Sequence, residues 1–225
     1  MATPHTEPTP MVQEAGLLHR LARAAVLHNA RLGLRLALRA FCQARVLGEE
    51  HVPPRGGLIV AANHTSVADP AVLQVFIPRF LTYMMTDKFY YVPVLHAFVR
   101  FWGVLVVKQQ GLNKDALRAA GGVLARGGAI GIFPEGGISR DGLIHDAQPG
   151  TALLAERSGA PILPVGLDGV AQLLPPDTRR LQRSRITICV GNPIFPQGQS
   201  RNELAARITA DIRDCAARAR QGGPA

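Results

Sequence analysis

From residue 46 onward the chain alternates short apolar runs with longer stretches of helical spacing, and glycine or proline separates most runs from the next. Continuous apolar runs of this length are what strands look like when both faces of a sheet are covered. The runs at 57–61, 81–85, 103–107, 129–133, 162–167 and 186–190 are the candidate strands. One helix is expected after Asn113 as N-cap, carrying Leu117 and Leu124, and another from near Thr151. The last helix opens at Ser200 with the capping-box pattern Ser-Arg-Asn-Glu. It places Leu204, Ile208, Ile212 and Cys215 at helical spacing and stops at Gly222-Gly223. Strands alternating with helices define the expected fold class: α/β, a single domain over residues 48–220 with a mixed, largely parallel sheet flanked by helices. The 225 residues are enough for one such domain and a sizeable core, on a prior of about 150 residues per domain.

Ahead of that domain the character changes. Residues 1–14 are polar and proline-rich and read as a disordered lead-in, whereas residues 15–47 contain no acidic residue and no proline and are expected to be helical. On a helix, Arg20, Arg23, Arg31, Arg35, Arg39 and Arg45 fall within an arc of roughly 160°, with leucines on every side. Such a segment can lie in a membrane interface, its arginine stems snorkelling and its guanidinium groups meeting lipid phosphates; Arg31, Arg35 and Arg39 are the candidate membrane-contacting residues. The other reading is a helix, or a helical hairpin broken near His28-Asn29, packed on its own domain. No uncharged apolar run approaches the ~18 residues that span a bilayer, and no secretory signal is legible. The three cysteines (Cys42, Cys189, Cys215) are far apart and odd in number, so reduced thiols in a cytoplasmic protein are expected. The net charge of +9, 25 basic against 16 acidic residues, favours a polyanionic partner, either nucleic acid or an anionic membrane.

Two motifs carry the chemistry. Directly after the 57–61 run comes Asn63-His64-Thr65-Ser66-Val67-Ala68-Asp69-Pro70. His64 and Asp69 would stand about 140° apart on a continuous helix, so they meet only if the chain turns between them, which a strand exit followed by a helix start allows. Asp69 before Pro70 also fits a helix N-cap with proline at N1. In the alternative reading its carboxylate accepts the Nδ1 proton of His64 and leaves Nε2 to deprotonate a substrate hydroxyl. The second motif follows the 129–133 run: Pro134-Glu135-Gly136-Gly137-Ile138-Ser139-Arg140-Asp141-Gly142. A carboxylate at a strand mouth followed by two glycines is placed where open α/β sheets bind ligands. The other reading is a turn with a solvated glutamate.

Taken together, residues 46–190 resemble the glycerolipid acyltransferases typified by 1-acyl-glycerol-3-phosphate acyltransferase. Asn63, His64 and Asp69 match the family's Asn-His-x-x-x-x-Asp motif; Phe133, Pro134, Glu135 and Gly136 match Phe-Pro-Glu-Gly; Pro164-Val165 matches the late Pro-Val element. Lys88, followed by an apolar helix ending near Arg100, and Pro149-Gly150 opening a helix are also similar. The resemblance implies transfer of an acyl group from acyl-CoA or acyl carrier protein to a lysolipid hydroxyl, with His64 as general base, Asp69 as its orienter and no metal or other cofactor. It implies substrate-binding roles for Asn63, Lys108, Glu135, Gly136, Gly137 and Arg140. With the basic segment 15–47 and the unpaired thiols, a peripheral or monotopic enzyme at the cytoplasmic face of an anionic membrane is expected. Two positions depart from the pattern. Gln109, after Lys108, stands where the family usually has a phosphate-binding arginine, and Gly137-Ile138 replace the usual Thr-Arg, with Arg140 two residues later. 1-Acyl-glycerol-3-phosphate is the default acceptor, and a lyso-aminolipid or another lysophospholipid is its rival.

Other classes fit less well. Aromatic residues are only 5% and no nucleic-acid-binding signature accompanies the arginines, so the Arg179-Arg180-x-x-Arg183-x-Arg185 cluster reads as a solvated loop and nucleic acid is not an expected partner. His64, His96 and His145 lack metal-ligand spacing, and no phosphate-loop or dinucleotide fingerprint is present. The alternative from a different class is a membrane-surface lipid-binding protein that kept the fold and lost turnover.

Overall fold

The computed structural model describes residues 10–86, 105–107, 114–175 and 180–222. Helix α1 (Pro10–Cys42) leads into strand β1 (Arg45–Leu47), a 3-10 turn and strand β2 (Leu58–Ala62). Then follow α2 (Asp69–Phe76), β3 (Leu81–Thr86), β4 (Leu105–Val107), α3 (Lys114–Ala125), β5 (Ala129–Ile132), α4 (Pro149–Ser158), β6 (Ile162–Asp168), α5 (Val170–Leu173), β7 (Thr187–Val190) and α6 (Arg201–Gln221). The strands form one sheet in the order β1-β7-β6-β2-β5-β3-β4, parallel throughout except where β6 meets β7. The expected mixed, largely parallel sheet is what forms.

The apolar runs are strands because each supplies both faces of the sheet. In β2, Leu58, Val60 and Ala62 join the core beneath α1 and α2, while Ile59 and Ala61 join the core beneath α3, α4 and α6. All five side chains are fully buried, as a central strand of a doubly covered sheet requires. The capping box at Ser200 starts α6 as expected, the Ser200 hydroxyl accepting the Glu203 N–H. Gly166 lets α6 lie directly on β6: a Cβ there would come within 2.1 Å of the Ala216 nitrogen. Cys189 and Cys215 are buried between β7 and α6, and burial pushes the Cys215 thiol up to about 12.

Three expectations need correction. Helix α1 begins at Pro10, so residues 10–14 are helical rather than part of a disordered lead-in; proline is compatible with a first helical turn. The helix also runs unbroken through His28-Asn29, so no hairpin forms there. Residues 45–47, read as the end of the helical segment, pair with β7 as a parallel edge strand, a pairing that no three-residue pattern can announce. The expected segment 88–100 with Lys88 and His96, together with residues 103–104, Lys108, Gln109, Asn113 and Arg179, lies outside the described residues.

Within the arginine stripe, Arg31 and Arg35 face the domain. The Arg31 guanidinium donates to the carbonyls of Val75 (3.2 Å) and Ile77, at the end of α2, where helical carbonyls lack intrahelical partners. Arg35 donates to the Glu49 carboxylate at 3.1 and 3.3 Å and lies over the Phe76 ring. Of the three arginines expected at a membrane, Arg39 is the one that is solvent-exposed. Successive residues are about 100° apart on a helix, so turning Arg31 and Arg35 inward turns Leu32 and Leu36 outward. These leucines are 49% and 59% exposed.

Gly166→Ala is expected to cost about 3 kcal/mol or more of folding free energy, because the clash is with helix backbone rather than a movable side chain. Urea denaturation measures this; an unchanged midpoint would show that α6 does not sit directly on β6.

Candidate active site

Strands β2 and β5 are adjacent and parallel, with Ala61 opposite Ile132, so the segments that follow them emerge side by side. At the exit of β2 the Asn63 amide extends the strand pairing. Its Oδ1 accepts the Leu167 N–H at 2.7 Å and its Nδ2 donates to the Leu167 carbonyl at 3.0 Å. Asn63 is buried and engaged in this way, so it holds the strand exit in place; a substrate-binding role is not what its geometry provides.

The chain then turns, and the turn is organised by one carboxylate oxygen. Asp69 Oδ2 accepts the Thr65 N–H at 2.7 Å, the Ser66 N–H at 2.8 Å and His64 Nδ1 at 2.9 Å. Asp69 is the first residue of α2 with Ala68 as N-cap, and its carboxylate reaches back over the turn instead of capping its own helix. The position still suits an anion, since the helix N-terminus carries positive partial charge. Asp69 is wholly buried, whereas the His64 side chain keeps 16% of its surface accessible. An ionised carboxylate only accepts, so the hydrogen bond assigns the proton to Nδ1 and leaves the Nε2 lone pair free.

His64 is also held from the side. Its ring stacks on Phe133 with centroids 4.0 Å apart, and Phe133 lies parallel to Tyr83 at 6.4 Å. The Tyr83 hydroxyl donates to the Pro70 carbonyl, and burial, with the nearby Asp69 charge, pushes the phenol well above its usual range, so it remains neutral. Gly131 makes room for this stack: a Cβ there would come within 2.4 Å of the Tyr83 ring. Sequence reasoning missed Tyr83 and its close approach to Gly131, although a glycine inside an otherwise apolar strand is a signal of such an approach.

Glu135 bridges two loops. One oxygen accepts the His64 N–H at 2.9 Å and the other the His145 N–H at 3.0 Å. The Ser139 N–H donates to the His64 carbonyl at 2.8 Å, so the loop after β5 grips both backbone polar groups of the histidine. Gly136 has φ +81°, and a Cβ there would come within 2.0 Å of the Gln148 amide. At Gly137 a Cβ would meet open space. Beyond it a cavity of about 400 Å³ is lined by Glu135, Gly137, Ile138, Ser139, Arg140, Asp141 and His145. Helix α6 anchors the loop: Arg213 donates to the Ile144 carbonyl (2.7 Å) and to Asp146 (3.1 Å), and the Thr209 hydroxyl accepts the Ala147 N–H (2.9 Å). Among the described residues no group of three or more histidine, cysteine or carboxylate side chains is gathered to hold a metal. The arrangement offers a fixed, oriented imidazole with a free lone pair, tied through Glu135 to a loop that lines a cavity.

Glu135→Gln places an NH2 group against one of the two N–H donors it now receives, and is expected to cost about 1–3 kcal/mol. Hydrogen exchange should accelerate at the His64 or His145 amide; unchanged protection at both would mean that the bridge does not form.

Residues 43–168 match the family model described as Acyltransferase. The chain is 22% identical over 186 residues to the chloroplastic 1-acyl-sn-glycerol-3-phosphate acyltransferase BAT2 of Brassica napus, covering 78% of this chain and 54% of that protein. It is 27% identical over 124 residues to the 1-acyl-sn-glycerol-3-phosphate acyltransferase of Borreliella burgdorferi, covering 54% and 50%. The chain thus spans about half the length of these curated relatives. Its fold matches the crystal structure of the 1-acyl-sn-glycerophosphate acyltransferase PlsC from Thermotoga maritima with a TM-score of 0.76 at 24% identity, covering 92% of this chain and 84% of that one. The family match contains His64, Asp69 and Glu135 together with the strands that position them, and this chain belongs to the Acyltransferase family.

Proposed function

We propose that this protein is an O-acyltransferase that moves a fatty acyl group from an acyl thioester, acyl-CoA or acyl carrier protein, to the free hydroxyl of a lysolipid. The acceptor it fits best is 1-acyl-glycerol-3-phosphate, which would be converted to phosphatidic acid for phospholipid synthesis. The observation that carries this reading is the buried Asp69 carboxylate on His64 Nδ1 at 2.9 Å, which leaves Nε2 as a base at the mouth of β2. In the reaction Nε2 takes the acceptor hydroxyl's proton as its oxygen attacks the thioester carbonyl, and Asp69 stabilises the imidazolium that forms. The tetrahedral intermediate collapses by breaking the carbon–sulfur bond. The departing thiolate takes the proton back from Nε2, and the new ester is released. A thioester is already activated, so neither a covalent acyl-enzyme nor a metal is part of this scheme. Arg140, exposed beside the cavity at Glu135–His145, supports a charged acceptor head group.

The substrate is a lipid, and the outward row on α1 is apolar. Val26, Leu32 and Leu36 are each about half exposed or more, so we place this face of α1, with Arg39 at its border, against the cytoplasmic surface of an anionic membrane. Among the described residues no helix is long and apolar enough to cross a membrane, which suits peripheral or monotopic attachment.

His64→Ala is expected to lower kcat about 10²- to 10⁴-fold, read by mass spectrometry with acyl-CoA or acyl carrier protein and a panel of lysolipids. Undiminished transfer would remove His64 as the base, whereas vesicle binding without transfer by either protein would favour a lipid-binding role. Leu32→Asp with Leu36→Asp is expected to lower co-sedimentation with anionic vesicles several-fold, while Arg31→Gln, whose side chain is turned inward, should lower stability instead. Equal co-sedimentation of the Asp variant and the native protein would place the membrane contact elsewhere.

A further inference from the structure

The cavity beside His64 is organised by a second histidine–carboxylate pair that the family motifs do not include. Asp141 Oδ1 accepts the Leu143 N–H at 3.0 Å, lies 2.8 Å from the Ser139 hydroxyl and meets His145 Nε2 at 3.2 Å. The Leu143 N–H and the Ser139 hydroxyl hold the Asp141 carboxyl below its usual range, so it is a fixed anion. Gly142, at φ +74°, reverses the chain and returns His145 to the cavity, where its backbone N–H is bound by Glu135. Arg213 and Thr209 of α6 hold the neighbouring residues 144, 146 and 147. His145 is thus positioned from three directions and still has half its side chain exposed.

The ionisable groups lining the cavity are Glu135, Arg140, Asp141 and His145. Both Glu135 oxygens already accept backbone N–H groups, and Asp141 Oδ1 is shared among three donors. Arg140 presents N–H donors to an incoming anion, and His145, whose Nε2 proton goes to Asp141 Oδ1, adds an Nδ1–H donor in its imidazolium form. They line the cavity where the usual Thr-Arg after Glu-Gly is replaced by Gly137-Ile138.

We infer that His145, oriented by Asp141, is a specificity-determining residue that binds the phosphomonoester head group of the lysolipid acceptor together with Arg140. This rests on the proposed acyl transfer and names the residues that select its acceptor. A charge-assisted hydrogen bond to phosphate strengthens binding of the head group and leaves the chemistry at His64 to the Asp69 pair.

The test is steady-state kinetics of the full chain with 1-acyl-glycerol-3-phosphate as the varied acceptor. His145→Ala is expected to raise the acceptor KM roughly 10- to 100-fold and to lower kcat by much less. Asp141→Asn should move KM in the same direction by a smaller factor. His145→Gln keeps a neutral donor and should recover part of the loss, and it carries the test if thermal melting shows that the alanine variant does not fold. A fall in kcat with unchanged acceptor KM would overturn the inference and make His145 a support for His64. An acceptor KM within twofold of the native value in both His145 variants would overturn it outright. Absence of transfer by the native protein is read before any variant; it would overturn the proposed function and this inference with it.

Discussion

The organising interaction of this protein is the acceptance of three hydrogen bonds by one buried oxygen of Asp69. A buried carboxylate is tolerated when donors replace the water it has lost, and here the donors come from three consecutive residues at the exit of the central strand. The same contacts turn the chain at residues 64–66, set the first residue of α2 and fix the orientation of the His64 ring. Loss of the carboxylate would leave two backbone N–H groups unsatisfied as well as an unoriented imidazole, so local folding and chemistry cannot be separated at this position.

Around that turn the scaffold is built from neighbouring strands that leave the sheet at the same end. β2 supplies Asn63 and His64, β6 supplies the backbone of Leu167 that Asn63 grips, and β5 supplies Phe133 and Glu135. Parallel pairing is what makes this convergence possible, because adjacent parallel strands present their carboxyl ends together. Glu135 then works as a beam between loops: its two oxygens tie the histidine backbone to the segment that walls the cavity. Helix α6, close against β6 because of Gly166, holds that segment from outside. The imidazole stands at the exit of a strand while the cavity wall beyond it is a loop.

Helix α1 shows how tertiary contacts reverse a reading made from helical spacing alone. An arc of arginines suggests a basic outer face, yet the carbonyls at the end of α2 and the Glu49 carboxylate draw Arg31 and Arg35 inward. The long arginine stems cover apolar surface as they do so, Arg35 over Phe76. A charged row that finds acceptors on its own domain leaves the opposite, leucine-bearing row facing out.

Most of the elements and the His64–Asp69 pair are legible in the amino-acid order alone. Strands β2, β5, β6 and β7 are continuous apolar runs, α6 announces itself through Ser200 and Glu203, and His64 with Asp69 is recognisable because a strand exit lies between apolar residues and a proline. These features are local, so period and capping chemistry disclose them. The remaining features depend on partners distant in the chain. Strand β1 exists because residues 187–189 lie beside it, and Glu135 is a bridge because His64 and His145 offer it their N–H groups. Gly131 matters because Tyr83 occupies its missing side chain's space, and Arg31 points inward because α2 ends where it does. A side chain's type fixes which bonds it can make, but which partner arrives within 3 Å of it is settled by the packing of elements tens of residues away.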